Sequence, residues 1–273
     1  MKFGALCWFS GAHLIAGAMQ QEARMKFSLV DGVRQEPSPK VKGLCQFCGK
    51  PMLSKCGTKV RWHWAHARKD SCDPWWDNES QWHRDWKNHW TNDYQEIVDF
   101  DEVGEKHIAD VKLPNGMVLE FQNSPMSHKE LQSREKFYGD MIWVVNGRNL
   151  AKNMKLRAAL PDPNHASMVD IGVQNTNHKT HFIYFHISEY QPDELIEIHS
   201  SDKIESLIKD THVGHFFYEW KRPKQVWLNA TKPVYLDFGR GILWQLKRFN
   251  EFSSFCIQAH RKEEFLRRYG AVA

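Results

Sequence analysis

Apolar and polar positions alternate with a period of two or recur at helical spacing along much of the chain, and the two patterns divide it into elements. The runs QEIVDF (95–100), KHIADV (106–111), MVLEFQ (117–122) and DMIWVVN (140–146) read as strands, the last buried and closed by Gly147. Within HIADVKLPNGMVLEFQ (107–122), a turn of Pro114, Asn115 and Gly116 joins two of these runs, which predicts an antiparallel hairpin. Asp110 and Glu120 then sit on adjacent strands. Glu120 and Gln122 share one face, and Leu119 and Phe121 point to the other. Ahead of the strands, DNESQWHRDWKNHW has Trp82, Trp86 and His89 or Trp90 at helical spacing, with Asp77 or Asn78 as N-cap and Glu79 in the first turn. Ser127-His128-Lys129-Glu130 has the form of a capping box and opens a second helix to about Tyr138.

Residues 1–43 read as β structure ending in the turn-rich EPSPKVKG, with MKFGALCWFSGAHLIAGAM taken as a pair of strands. Beyond Leu160, PDPNHASMVDIGVQNTNHK is polar and reads as a linker or long loop. The remainder is predicted as strands THFIYFHI, QVWLNA and PVYLDFG, followed by a final helix from about Phe249 to Tyr269. These patterns suggest three parts: an N-terminal β and metal-binding module (1–72), a mixed core (73–160) and a C-terminal region (161–273).

The chain has 273 residues, and its mean hydropathy of −0.62 comes with no apolar run near the ~20 residues that span a bilayer. The start lacks a charged leader and a continuous apolar stretch, so the expectation is a soluble, cytoplasmic protein without membrane association. Net charge is +4, and residues 201–273 hold 13 Lys and Arg against 8 Asp and Glu, which places the basic excess near the C-terminus. Lys221, Arg222 and Lys224 are the densest cluster there and are candidate contacts to a nucleic-acid backbone.

Six cysteines are too few for a disulfide scaffold, and three fall between Cys45 and Cys56. Cys45-Gln-Phe-Cys48-Gly is a metal knuckle, and His63-Trp-Ala-His66 repeats its two-residue gap, which together suggest a tetrahedral structural zinc site. Cys72 replaces His63 if WHWAH is a regular strand, because residues three apart then face opposite ways; Cys56 is spare. Both ligand sets are open at this point. The two carboxylates of Asp110 and Glu120 are a different kind of site, one for a hard cation such as Mg²⁺ or Mn²⁺.

CQFCGKPM, RWHWAH, ESQWHRDWK, IADVKLPNGMVLEFQNSPMS and REKFYGDMIWVVNG, in that order, resemble the competence protein CoiA-like family over roughly residues 1–150. The resemblance implies an α+β or α/β restriction-endonuclease-like core of PD-(D/E)xK type, preceded by an N-terminal β and zinc-ribbon-like segment and followed by a mixed, β-rich C-terminal region. It implies that Asp110 and Glu120 bind the metal and that Gln122 occupies a position where many such nucleases have lysine. Glu79, His83 and Lys87, spaced four apart, would form one helix stripe, with Glu79 as a third carboxylate and Lys87 as the missing cation; the same stripe also fits an ordinary exposed Glu–Lys face. Arg134 and Tyr138 would brace the acids or touch phosphate in the manner of RecB-like nucleases, and Tyr138 also fits a core role. The expectation is a DNA-cleaving enzyme acting in DNA uptake, recombination or mobile-element traffic. Its rival is an inactive DNA-binding protein that keeps the same fold.

Overall fold

The computed structural model describes residues 24–68, 72–75, 79–175, 182–189, 201–251, 253 and 255–272. The strand pair expected over 1–19 lies outside them. An N-terminal sheet contains β1 (Ser28–Val30), β2 (Val33–Gln35), β3 (Lys42–Leu44), β4 (Pro51–Lys55) and β5 (His63–His66), in the antiparallel order β2-β1-β3-β4-β5. Asp31 and Gly32 take positive φ (51° and 80°) between β1 and β2, the two left-handed positions that a two-residue hairpin turn demands.

The core begins with α1 (Gln81–Lys87), followed by β6 (Gln95–Phe100), β7 (Lys106–Lys112), β8 (Val118–Gln122), α2 (His128–Tyr138) and β9 (Met141–Asn146). The chain continues through β10 (Met154–Ala159), β11 (Ile171–Asn175), β12 (Phe182–His186), α3 (Ser201–Thr211), β13 (His215–Trp220), α4 (Gln225–Leu228), β14 (Val234–Asp237), β15 (Ile242–Arg248), β16 (Phe255–Arg261) and α5 (Lys262–Arg268). Nine of these strands form one sheet, β10-β13-β16-β15-β14-β9-β8-β7-β6, in which β9 runs parallel to both β8 and β14. The molecule is a sheet-rich α+β structure. Among the described residues no helix is long and apolar enough to cross a membrane.

Alternation along β8 sends its side chains into two layers. Leu119 and Phe121 pack with Trp82, Trp86 and Trp90 of the α1 segment and Phe265 of α5; Val118 packs on the other face with Leu131 of α2, Trp143 of β9 and Trp227 of α4. Each buried indole removes on the order of 150–250 Å² from water, so this aromatic layer carries much of the helix docking. One carboxylate fixes its position: Asp237 at the end of β14 accepts from the indole nitrogens of Trp82 (2.9 Å) and Trp86 (2.8 Å) and from the Gly239 amide (2.7 Å).

Several expected elements take another form. Ser80 is the N-cap of α1, accepting from the His83 amide while the Ser80 amide donates to His83 Nδ1, so Glu79 precedes the helix; Asp77 and Asn78 lie outside the described residues. The polar stretch after Leu160 is not loop throughout, because β11 pairs with β12 and buries Val173. QVWL is the short helix α4, which seats Trp227 against Trp143 at 5.6 Å between ring centroids. The expected terminal helix starts only at Lys262, since Phe255–Arg261 pairs with β15 along its length and with β13 at its centre. Ladder pairing on both edges overrides local helix preference there.

Asp237→Ala would leave two buried indole N–H groups without acceptors at 1–3 kcal/mol each, so the variant should lose about 3 kcal/mol in urea unfolding.

Candidate active site and metal cluster

The turn between β7 and β8 holds Gly116 at φ 88°, and the ladder beyond it runs Lys112↔Val118, then Val111↔Leu119. At the next pair the side chains replace the ladder. The Asp110 amide donates to Glu120 Oε1 (3.1 Å) and the Phe121 amide donates to Asp110 Oδ2 (2.9 Å). Two carboxylates are thus wedged between strands that would otherwise have closed on each other. Asp110 keeps 18% of its side chain exposed, whereas Glu120 keeps 4%, so solvent reaches the pair from the Asp110 side.

A cavity of about 30 Å³ lies over them, bordered by Glu79, His83, Lys87, Asp110, Glu120, Gln122 and Arg134. Its volume suits a water or a small ion rather than a nucleotide. The structure therefore brings seven of the sequence-nominated residues to one place. Lys87 Nζ lies 2.6 Å from Glu79, 2.8 Å from Glu96 and 3.9 Å from Asp110. Burial alone would depress its pKa, but the charges of Glu96, Glu79 and Asp110 outweigh that and hold it above the ordinary lysine value. Burial raises Glu96, against the pull of Lys87. Arg134 donates from Nη1 to Glu120 Oε2 (3.0 Å), and from Nη2 to Glu130 (2.7 Å) and the Trp75 carbonyl (2.5 Å). Burial and the Asp110 charge push Glu120 up to about 8 despite Arg134. The Gln122 amide nitrogen donates to Ser124 Oγ (2.9 Å), which orients the amide.

The residues nominated as nucleic-acid contacts are divided. Tyr138 has its ring against Phe137 (5.0 Å) and Trp75 (6.2 Å) and does not line the cavity, but burial and then the Glu120 charge raise its hydroxyl well above the usual range, which places it beside the acid pair. His83 reaches the cavity, but its Nδ1 is spent on the Ser80 cap. Lys221, Arg222 and Lys224 are exposed in the loop after β13 and do not border the cavity. Sequence reasoning missed Glu96 and Arg84, whose guanidinium pairs with Glu79. Gln95 and Glu96 are two polar residues ahead of Ile97 and Val98 on β6, but nothing in that local pattern names the partners of Glu96.

The second cluster lies in the N-terminal module. Cys45, Cys48, His66 and Cys72 offer ligand atoms that all lie within 4.8 Å of one another, a Cys₃His set that could hold a structural metal such as zinc. Cys72, not His63, is the fourth member. β5 is a regular strand, so His63 faces away from His66 and its Nδ1 approaches the Arg61 carbonyl at 2.9 Å. The hydrogen bond from Cys72, helped by His66 and opposed by burial, draws Cys45 down to about 4, while the same bond and burial raise Cys72. A thiolate in a soft sulfur and nitrogen set is what zinc takes.

Residues 38–74 match the family model for the competence protein CoiA, N-terminal domain. The match supports a CoiA-like family and spans all four members of the Cys₃His cluster, but stops short of the acid cavity. No curated protein and no solved structure matches the chain.

Purified protein should carry about one zinc per chain by elemental analysis. Cys72→Ser should lose the metal and lower the thermal midpoint, whereas His63→Ala should retain it; the opposite ranking would return His63 to the ligand set.

Proposed function

We propose that the chain is a Mg²⁺- or Mn²⁺-dependent deoxyribonuclease with a restriction-endonuclease-like core, acting in competence-related DNA processing. The observation that carries this reading is the wedge of Asp110 and Glu120 between β7 and β8, with Lys87 on one side and Arg134 on the other. Hard oxygen donors on two converging carboxylates, one open to solvent, fit a small divalent cation. Bound between them, such an ion would supply Lewis acidity at the scissile phosphate. Asp110 and Glu120 would hold it. Gln122, oriented by Ser124, would position the attacking water by hydrogen bonding, and Lys87 would balance charge where Gln122 brings none. Lys221, Arg222 and Lys224 would hold the DNA backbone away from the cavity. The family match supports the competence role, since the matched model is named for a competence protein.

A DNA-binding protein without turnover is the second reading, and one observation favours it. Lys87 already sits against Glu79 and Glu96, which offsets the positive charge a phosphate would need. Incubation of supercoiled and single-stranded circular DNA with Mg²⁺ or Mn²⁺ separates the two. Cleavage should be seen with the wild type and fall at least about 100-fold in Asp110→Asn and in Glu120→Gln with unchanged circular dichroism; metal-dependent cutting by either variant at the wild-type rate would remove the pair from catalysis.

The raised pKa of Glu120 adds a pH signature. Below about 8 the carboxyl holds a proton that a metal must displace, so apparent Mg²⁺ affinity should rise roughly tenfold per pH unit from 6 to 8 and level off above. Calorimetry in buffers of different ionisation enthalpy should register one proton released, and Glu120→Gln should abolish that release.

A further inference from the structure

Helix α1 borders two hollows. His83 and Lys87 line the acid cavity, while Arg84 and Asn88, each one residue further round the helix, line an open groove of about 440 Å³ between α1 and the turn joining β4 to β5. That turn is unusual in what it shows to solvent. Residues 57–62 are all exposed, and they include Val60 and Trp62, each 44% exposed, interleaved with Lys59 and Arg61. Lys26 and Arg84 also line it, but both are buried and paired, Lys26 with Glu36 (3.6 Å) and Arg84 with Glu79, so Lys59 and Arg61 are the exposed cations of the lining. Arg84 also joins the two hollows: its Nη1 donates to the Trp62 carbonyl (3.2 Å) and its Nε pairs with Glu79 on the wall of the acid cavity.

An indole left half exposed in a groove that two exposed cations also line meets the chemistry of an unpaired nucleotide, an aromatic face with an anionic backbone beside it. Duplex DNA offers the phosphates but keeps its base faces stacked, so the indole selects for single strands. We propose that this groove binds single-stranded DNA, with Trp62 stacking on a base and Lys59 and Arg61 contacting phosphates, and that the bound strand passes over α1 to Asp110 and Glu120. The second half rests on the nuclease reading; the binding half does not.

The test uses the full-length chain carrying Asp110→Asn, so that the strand stays intact, and follows fluorescence anisotropy of a labelled oligothymidine and of a blunt duplex of the same length. Adding Trp62→Ala should weaken oligothymidine binding about tenfold, the size of one base–aromatic stack, and leave duplex binding unchanged. Trp62→Phe should restore most of the loss. Lys59→Ala with Arg61→Ala should reduce the salt dependence on the single strand by about 0.7 per lost phosphate contact. Because these side chains are exposed, the variants should keep the wild-type melting temperature. Unchanged oligothymidine affinity in Trp62→Ala, or an equal loss on duplex, would overturn the groove. A wild-type chain that cuts no DNA but needs Trp62 for single strands would sink the nuclease reading and leave the groove standing.

Discussion

The Lys87 ammonium is wholly buried, and the chain around it is arranged to compensate that charge. Taking an ion out of water costs several kcal/mol even in real protein interiors, and removing one partner of a buried pair costs about 3–5 kcal/mol. Glu79 before α1, Glu96 on β6 and Asp110 on β7 supply the compensation, so a single cation fixes the relative positions of a loop, a helix and two strands. Glu96 extends that hold further. Its carboxylate accepts from the backbone amides of Lys26 (3.0 Å) and Phe27 (3.4 Å), which docks the N-terminal module on the core. It does so from φ 48°, a left-handed conformation that costs a non-glycine residue on the order of 1–3 kcal/mol and persists because the surrounding bonds over-determine it.

A second connection runs through residues 72–75. Cys72 belongs to the metal cluster, and the next residue, Asp73, accepts from the Ile108 amide (2.7 Å) and pairs with His107 Nδ1 (2.8 Å), both on the strand that carries Asp110. Trp75 stacks on His107 with ring centroids 3.2 Å apart, and its carbonyl receives Arg134. A metal in the Cys₃His cluster would therefore act at a distance. By ordering this segment it would hold both β7 and the arginine that steadies Glu120.

Local pattern revealed most of the acid site and less of what surrounds it. The hairpin was legible because Pro114, Asn115 and Gly116 interrupt two apolar runs, and α2 because Ser127 accepts from the Glu130 amide as a capping serine should. The two-residue alternation of β5 also carried the answer to the metal cluster, since it turns His63 away from His66 and leaves the place to Cys72. Glu96 was hidden for a physical reason. Its role depends on charges delivered by α1 and by residues near the N-terminus, and no spacing rule connects those segments. The C-terminal strands were hidden in the same way: β14 lies parallel to β9 and β16 fills the gap between β13 and β15, pairings set by long-range packing. A run such as FCIQAH can be read either way until its neighbours are known.

The proposed function requires that Asp110 and Glu120 hold a cation beside Lys87, distinct from the Cys₃His cluster. Crystals grown with Mn²⁺ and measured at both the manganese and the zinc edges test it directly. The account predicts one anomalous peak within coordinating distance of both carboxylates and a separate zinc signal among Cys45, Cys48, His66 and Cys72. Absence of a manganese peak at saturating Mn²⁺, with Asp110 and Glu120 still bonded to each other's strand amides, would contradict it.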